Sequence, residues 1–506
     1  MAFSKKDLAI KTLGKLKASG YTSRSVKEEL RDNLIAALKN KTTLFEGVVG
    51  YEETVIPDLQ RAILSRHNII LLGLRGQAKT RIARLMVALL DEYIPVVAGS
   101  ELNDDPLQPL SRAARDLIAE HGDNTPIEWL HRDARYGEKL ATPDVSVADL
   151  IGDVDPIKAA TLKLPYSDER VIHYGIIPRS HRGLFVINEL PDLQPRIQVA
   201  LFNILQEGDI QIRGFKLRLP LDIQFVFTAN PEDYTNRGSI VTPLKDRIES
   251  QILTHYPKSE ELSMQITSQE ARLSDAQRKR VHVDPISARL VERIAIEARE
   301  SEFVDAKSGV SARLTISAYE ILHSAVERRL LINNEKSGSS RIGDFHGLIP
   351  AITGKIELVY EGEQEGPALV AEKLIDNALR KLFAEYFPNP EALRKRKDAV
   401  NPYDKIIRWF GKGNSVDLLN DLTEKEYRKV LLGVPGLEDV VENAQQGATE
   451  SMKLLLMEFV LHGLSSYSLI GKSRLTSGHT FGDLLSGMLN FSDDDEEDAE
   501  HGAYYE

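Results

Sequence analysis

The spacing of apolar residues changes along the chain and divides it into regions of different predicted secondary structure. Over residues 1–42 apolar side chains recur every three or four positions, which predicts an N-terminal helical segment. Over 43–257 short β-rich apolar runs alternate with amphipathic helical segments. This alternation is typical of an α/β domain with a largely parallel sheet. We therefore predict an α/β fold class, with the central sheet inside 43–257.

Helical spacing returns after residue 257. We predict a helical lid over 258–336, because apolar residues again lie three and four positions apart. The small and polar residues of Lys336–Ser340 predict a flexible linker at the end of this lid. We expect a mostly helical C-terminal region over 337–490 and an acidic disordered tail over 491–506.

Composition removes several classes of function. The chain has no cysteine, which excludes disulfides and thiolate metal sites. No stretch approaches the roughly 20 apolar residues of a membrane span, and the first residues lack the apolar segment of a secretory signal. We therefore expect a cytoplasmic protein without a membrane span. The formal net charge of −12 argues against general affinity for nucleic acid.

A glycine-containing loop after an apolar strand predicts a phosphate site. The buried strand Asn68–Leu72 is followed by the loop and then by a helix, so backbone amides and a helix N-terminus can face an anion. Lys79 supplies positive charge for the β- and γ-phosphates of ATP, and the Thr80 hydroxyl suits Mg2+. The other loop positions in this prediction are Gly73, Gly76, Gln77 and Ala78. The usual pattern has glycine at the position of Ala78, so the motif is weakened.

Two further apolar strands end in polar residues that suit phosphoryl transfer. In Gly183–Leu190, Asn188 and Glu189 stand where P-loop enzymes carry an aspartate for Mg2+ and a glutamate that orients the attacking water. Glu189 suits the second role, whereas Asn188 brings no negative charge and should lower metal affinity. Asn230 ends the third strand and can hydrogen-bond a γ-phosphate oxygen or the attacking water. For one such asparagine alone, a strand-end cap is the alternative interpretation.

Together these motifs resemble the AAA+ clade that contains the magnesium-chelatase I subunits and the MoxR-type ATPases. The likeness covers about Phe45–Leu330, which identifies 43–257 as the nucleotide-binding domain. Beyond the ATP motifs, the segments that carry the resemblance are Val48–Glu53, Ile151–Pro156, Gly175–Gly183 and Gly208–Gly214.

The resemblance implies roles that spacing alone does not assign. Val49 and Gly50 would lie on the adenine side of the nucleotide, and Asn230 would be sensor 1. Arg247 would reach the γ-phosphate of a neighbouring subunit, and Arg313 would act as sensor 2 from the lid. For either arginine alone, a surface ion pair is the alternative. The resemblance also implies a homo-oligomeric hexamer, a helical insertion in the α/β domain and a partner with a von Willebrand factor A domain.

Three functions remain open at this point. The favoured hypothesis is an ATP-hydrolysing motor that acts in a ring to remodel or activate a partner protein complex. The second is the motor subunit of a magnesium chelatase, which drives Mg2+ insertion into a porphyrin. The third, motivated by Asn188, is a scaffold that assembles on ATP and hydrolyses it weakly.

Overall fold

The computed structural model describes residues 7–166, 168–212, 218–231, 240–395 and 401–484. The chain divides into two units, Met1–Tyr256 and Pro257–Glu506, and the described residues of each form a hydrophobic core of their own. The predicted acidic tail lies outside the described residues. None of the described helices combines the length and the apolar character that a membrane span requires.

The first unit is built on a five-stranded parallel sheet. The strands of this unit are β1 (Ile69–Leu72), β2 (Tyr93–Val97), β3 (Ile127–His131), β4 (Tyr136–Leu140), β5 (Gly152–Val154), β6 (Ile172–Tyr174), β7 (Gly183–Asn188), β8 (Asp209–Gln211), β9 (Arg218–Pro220), β10 (Ile223–Ala229) and β11 (Ser250–Leu253). The sheet has the order β11-β1-β10-β7-β4, and every neighbouring pair is parallel. The strands β2–β3, β5–β6 and β8–β9 form separate antiparallel pairs. The predicted α/β class with a parallel sheet is confirmed.

Helices cover both faces of this sheet because its inner strands are predominantly apolar and are buried along their whole length. All residues of β1, β7 and β10 are buried. Ile69 and Leu71 belong to one core cluster, whereas Ile70 and Leu72 belong to a second cluster on the opposite face. The described α-helices of this unit are Leu13–Ala18, Val26–Lys39, Val55–Leu64, Lys79–Leu85, Arg112–His121, Val147–Leu150, Pro156–Leu162, Ile176–Arg179, Pro195–Glu207 and Thr242–Asp246.

The helix Val26–Lys39 is held in the first unit by a buried ion pair. The Glu29 carboxylate accepts two hydrogen bonds from the Arg135 guanidinium, at 2.7 and 2.6 Å. The exposed fractions of the two side chains are 4% and 1%, so the pair is shielded from water. The backbone amide of Asp91 donates to the same carboxylate at 2.6 Å, and the Val26 amide donates to Asp222 at 2.7 Å. These bonds tie the N-terminal segment to the α/β domain.

The second unit is mainly helical. Its described α-helices are Glu260–Glu270, Asp275–Arg280, Pro285–Glu300, Arg313–Ile332, Ile349–Thr353, Tyr360–Glu365, Pro367–Tyr386, Pro390–Arg394, Asp404–Phe410, Glu424–Leu432, Leu437–Ala444 and Glu450–Ser466. Its described strands are β12 (Val281–His282), β13 (Gly338–Ser339), β14 (Val416–Leu419), β15 (Gly471–Leu475) and β16 (Gly478–Gly482). One hydrophobic cluster contains residues from the predicted lid and from the predicted C-terminal region.

The predicted linker Lys336–Ser340 is instead an ordered part of this unit. Gly338 and Ser339 form β13 and pair in parallel with β12, and Ser340 is 1% exposed. Small polar residues carry little strand propensity, and the pairing depends on a strand more than fifty residues upstream, so no local pattern indicates it. The flexible linker prediction was wrong.

The C-terminal region also contains an antiparallel sheet in the order β14-β16-β15. No helical spacing or apolar run marks these strands in the sequence, because polar residues dominate Gly471–Leu475 and only a short turn separates it from Gly478–Gly482. The region is therefore mostly helical, as predicted, with one small sheet that the sequence did not indicate.

We expect Glu29→Ala to lower the free energy of unfolding by about 3–5 kcal/mol, because it leaves the buried guanidinium of Arg135 without its charged partner. Urea unfolding followed by circular dichroism measures this loss. Asp123→Ala is the matched control, since it removes the exposed Lys17–Asp123 pair and should change stability little. An equal effect of the two substitutions would contradict the role of the buried pair.

Candidate functional site

The loop between β1 and the helix Lys79–Leu85 has the backbone conformation of an anion-binding turn. Gly76 has a φ of +78° and Ala78 has a φ of +57°, so both lie in the left-handed region. Ala78 directly precedes the helix as its N-cap residue. Left-handed residues before a helix turn successive amides inward, which is the arrangement that binds phosphate oxygens.

Side chains fix this loop against the sheet. The Lys79 ammonium donates to the carbonyl oxygens of Gly73 and Leu74, the second at 3.0 Å, so the charge lies inside the loop. The Thr254 hydroxyl donates to the side-chain oxygen of Gln77 at 2.7 Å. A Cβ on Gly73 would lie 1.8 Å from the Thr254 hydroxyl oxygen, which explains why this position is glycine.

The segment predicted for the adenine side joins the loop through Tyr51, which follows Val49 and Gly50 in the chain. The Tyr51 hydroxyl donates to the carbonyl oxygens of Gln77 at 3.1 Å and His255 at 2.7 Å. Burial raises the pKa of the Tyr51 hydroxyl to about 12, so it stays a donor at neutral pH. The contact brings the predicted adenine-side residues and the phosphate loop into one region of the first unit.

Strand register brings the three predicted polar strand ends to one edge of the sheet. Leu72 pairs with Ala229, and Phe227 pairs with Ile187, so the carboxyl ends of β1, β10 and β7 are adjacent. The Gly73 amide also donates to the Ala229 carbonyl at 3.2 Å. Because Asn188, Glu189 and Asn230 directly follow or end these strands, they share the edge from which the phosphate loop leaves.

Asn188 is the centre of the hydrogen bonds at this edge. Its side-chain oxygen accepts from the Thr80 hydroxyl at 3.2 Å and from the Thr228 hydroxyl at 3.1 Å. The Thr228 oxygen in turn accepts from the backbone amide of Glu189 at 3.1 Å. Glu189 itself has a φ of +55°, a conformation that is rare outside glycine and clusters at functional sites.

The donor set suits Mg2+ bound together with ATP phosphates. Hydroxyl and amide oxygens from Thr80 and Asn188 converge, and Mg2+ prefers such hard oxygen ligands while keeping phosphate oxygens and waters as its other ligands. Across the described ranges, no group of three or more His, Asp or Glu side chains could enclose a metal by itself. A site completed by phosphate oxygens is therefore the arrangement that these residues support.

Two residues of this network were missed by the sequence analysis. Thr228 lies inside β10, two positions before the predicted site residue Asn230. Glu138 lies in β4 and accepts a hydrogen bond from the Asn188 side-chain nitrogen at 2.6 Å. The polar sequence of Tyr136–Leu140 gave no sign that it pairs with β7 in the central sheet. When the register between β4 and β7 is not known, an acidic residue in a polar strand does not indicate a functional site.

The two predicted arginines lie in different units. Arg247 follows the helix Thr242–Asp246, donates to the Gln206 side-chain oxygen at 2.9 and 2.6 Å, and stacks over the Phe202 ring at 5.2 Å. Arg313 is the first residue of the helix Arg313–Ile332 in the second unit. These observations do not test the roles predicted for Arg247 and Arg313, which remain predictions.

Comparison with known proteins relates the chain to magnesium-chelatase subunits. It is 24% identical over 231 residues to the magnesium-chelatase 38 kDa subunit of Cereibacter sphaeroides, a match that covers 44% of this chain and 61% of that protein. It is 23% identical over 226 residues to the subunit of the same name from Rhodobacter capsulatus, with 44% and 59% covered. The chain thus spans about six tenths of the length of the curated relatives it matches. No known family profile matches it.

Likenesses to solved structures are weaker. A complex of the magnesium-chelatase subunits BchI and BchD is 18% identical with a TM-score of 0.32, over 63% of this chain and 98% of that chain. NtrX from Brucella abortus in complex with ATP is 13% identical with a TM-score of 0.30, over 61% and 53%. At these scores the likenesses carry no argument about function.

We expect Ala78→Gly to raise the free energy of unfolding by about 0.5–1 kcal/mol, because glycine relieves the left-handed strain at this position. Thermal or urea unfolding measures the change. The matched control is Ala113→Gly in the exposed face of the helix Arg112–His121, where the same exchange should destabilise by about 1 kcal/mol. Destabilisation at both positions would contradict the assigned conformation of the loop.

Proposed function

We propose that this chain, which is similar in sequence to magnesium-chelatase subunits, is an AAA+ ATPase that binds Mg2+ and ATP at Gly73–Thr80 and hydrolyses the nucleotide. The observation that carries the proposal is the chain of hydrogen bonds from Thr80 through Asn188 and Thr228 to the Glu189 backbone. It joins the phosphate loop to the strand end that bears the proposed catalytic glutamate.

Each side chain has a chemical task in this proposal. Lys79 and the inward amides of the loop bind the phosphates, and Thr80 and Asn188 hold Mg2+. When bound, Mg2+ supplies positive charge that neutralises the phosphate oxygens. Glu189 orients and deprotonates the attacking water, and Asn230 holds the water or the γ-phosphate in line.

We propose that hydrolysis takes place between copies of the chain in a hexameric ring. Arg247 is half-buried on the surface of the first unit, and among the described residues its guanidinium donates to the Gln206 side-chain oxygen and the Pro243 carbonyl, both neutral acceptors. A guanidinium held by neutral acceptors can stabilise negative charge on a nucleotide bound to a neighbouring copy. Arg313 is proposed to couple the nucleotide state to the second unit.

We propose that the motor remodels or activates a partner protein complex in the cytoplasm, as the resemblance to MoxR-type ATPases suggests, with a von Willebrand factor A domain protein as partner. A chelatase motor for porphyrin metallation is the second candidate, supported by the curated relatives named magnesium-chelatase 38 kDa subunit.

An ATP-dependent scaffold with weak hydrolysis is the third candidate function, supported by the uncharged Asn188. Phosphate release with and without candidate partner proteins separates the motors from the scaffold.

We expect Lys79→Ala to abolish ATP binding, because it removes the charge inside the loop, whereas Glu189→Gln should bind ATP and lose hydrolysis. Equilibrium titration with ATP and steady-state phosphate release measure the two effects. Lys17→Ala, which removes an exposed lysine of the same unit, should change neither. ATP affinity within about threefold of wild type in Lys79→Ala would contradict the phosphate-loop role.

Arg247→Ala should leave ATP affinity unchanged and lower the hydrolysis rate by about 10³-fold, because the arginine acts on the nucleotide of a neighbouring copy. Mixing this variant with Lys79→Ala protein, which keeps its arginine, should restore part of the activity in mixed rings. Full activity of Arg247→Ala alone would remove the assignment.

A further inference from the structure

Asn188 brings no negative charge to the proposed magnesium site, and the sheet supplies a carboxylate beside it. Leu140 of β4 pairs with Asn188 of β7, and Glu138 lies two positions earlier on the same strand. The Glu138 side chain reaches the Asn188 amide, whose nitrogen donates to the carboxylate at 2.6 Å. The carboxylate is therefore one hydrogen bond away from the oxygen that faces Thr80.

This bond determines which way the Asn188 amide points. An ionised carboxylate only accepts hydrogen bonds, so the amide nitrogen must face Glu138. The amide oxygen then faces Thr80 and Thr228 and accepts hydrogen bonds from their hydroxyls at 3.2 and 3.1 Å. With the amide reversed, two oxygens would face each other at Glu138 and a nitrogen would face the metal side. Glu138 thus selects the orientation in which Asn188 can bind a cation.

Glu138 is itself held in place from two sides. Arg84, on the helix that begins at Lys79, donates to both carboxylate oxygens at 3.0 and 3.1 Å. The Tyr136 hydroxyl donates to one of them at 2.9 Å. The hydrogen bonds that Arg84 donates to the Glu138 carboxylate raise the pKa of Arg84, and burial together with the same carboxylate raises the pKa of Tyr136, so Arg84 stays charged and Tyr136 keeps its proton.

We propose that Glu138 is the positioning carboxylate of the magnesium site, which fixes the Asn188 amide with its oxygen toward Thr80 and makes that oxygen more negative. The inference rests on the proposed function, because it assumes that Mg2+ binds beside Thr80 with ATP. In this arrangement the neighbouring strand supplies the charge that Asn188 lacks. Outer residues that orient a metal ligand commonly change metal affinity by about 10–100-fold when they are removed.

A purely structural role is the competing explanation, since the Glu138–Arg84 pair also ties β4 to the helix after the phosphate loop. Arg84 is 63% exposed, so water screens the pair and its loss should weaken the fold little. The two explanations differ in what they predict for Mg2+. A structural tie affects nucleotide affinity equally with and without the metal, whereas a positioning residue affects only the metal-dependent part.

The test compares the affinity for a non-hydrolysable ATP analogue in excess Mg2+ and in EDTA, by titration calorimetry on the full chain. The ratio of the two dissociation constants defines the Mg2+ enhancement. We expect Glu138→Gln to reduce this enhancement by about tenfold while the affinity in EDTA stays within about twofold. Glu169→Gln is the matched control, because Glu169 is similarly half-buried and pairs with Arg115 at 3.4 Å elsewhere in the first unit. It should keep the full enhancement.

A second substitution tests the mechanism by rescue. Asn188→Asp places the charge directly at the metal side and removes the amide that needs orienting, so it should restore the enhancement in the Glu138→Gln background. With Glu138 present, Asn188→Asp brings two carboxylates into contact, and the gain should be smaller because like charges repel. Failure of the rescue would overturn the positioning role.

The outcomes separate this inference from the function on which it rests. If wild type binds the analogue with a Mg2+ enhancement that Glu138→Gln retains, the inference is overturned and the proposed nucleotide site stands. Equal losses with and without Mg2+ overturn it in favour of the structural tie. If wild type does not bind the analogue in either buffer, the proposed function itself fails.

Discussion

The parallel register of β1, β10 and β7 is the constraint on which the candidate site depends. Because these strands run side by side in one direction, the loop after β1 and the polar residues that follow β7 and β10 emerge at the same edge. A shift of one residue in any of these buried strands would exchange the side chains between its two faces. The packing of both faces therefore holds Thr80, Asn188 and Thr228 within hydrogen-bonding distance.

Much of the site could be predicted from the sequence because its residues stand at the ends of unmistakably apolar runs. Asn188, Glu189 and Asn230 each follow a buried strand, and the glycine loop precedes a helix. Glu138 could not be predicted in this way, since it lies in the middle of a polar strand at the edge of the sheet. Its proximity to Asn188 depends on the register between β4 and β7, which no local pattern reports. Residues that act through long-range pairing are the ones that sequence reasoning misses.

The same distinction holds for the fold. The α/β class follows from predominantly apolar strands, whose burial on two faces requires helices on both sides. The linker prediction at Lys336–Ser340 was wrong because a local preference for irregular structure was outweighed by pairing between β12 and β13. The small sheet of β14, β15 and β16 was missed for a related reason, since its strands have mixed polarity and bury only part of their side chains.

The ion pair between Glu29 and Arg135 has a consequence for synthesis on the ribosome. The two residues are separated by 106 positions, so the partner of Glu29 is added roughly 5–20 s after it at ordinary translation rates. The strands β7 and β10, which share a core cluster with Leu30 and Leu34 of the helix Val26–Lys39, are added later still. The core that encloses this helix can therefore close only after residues late in the first unit have been added.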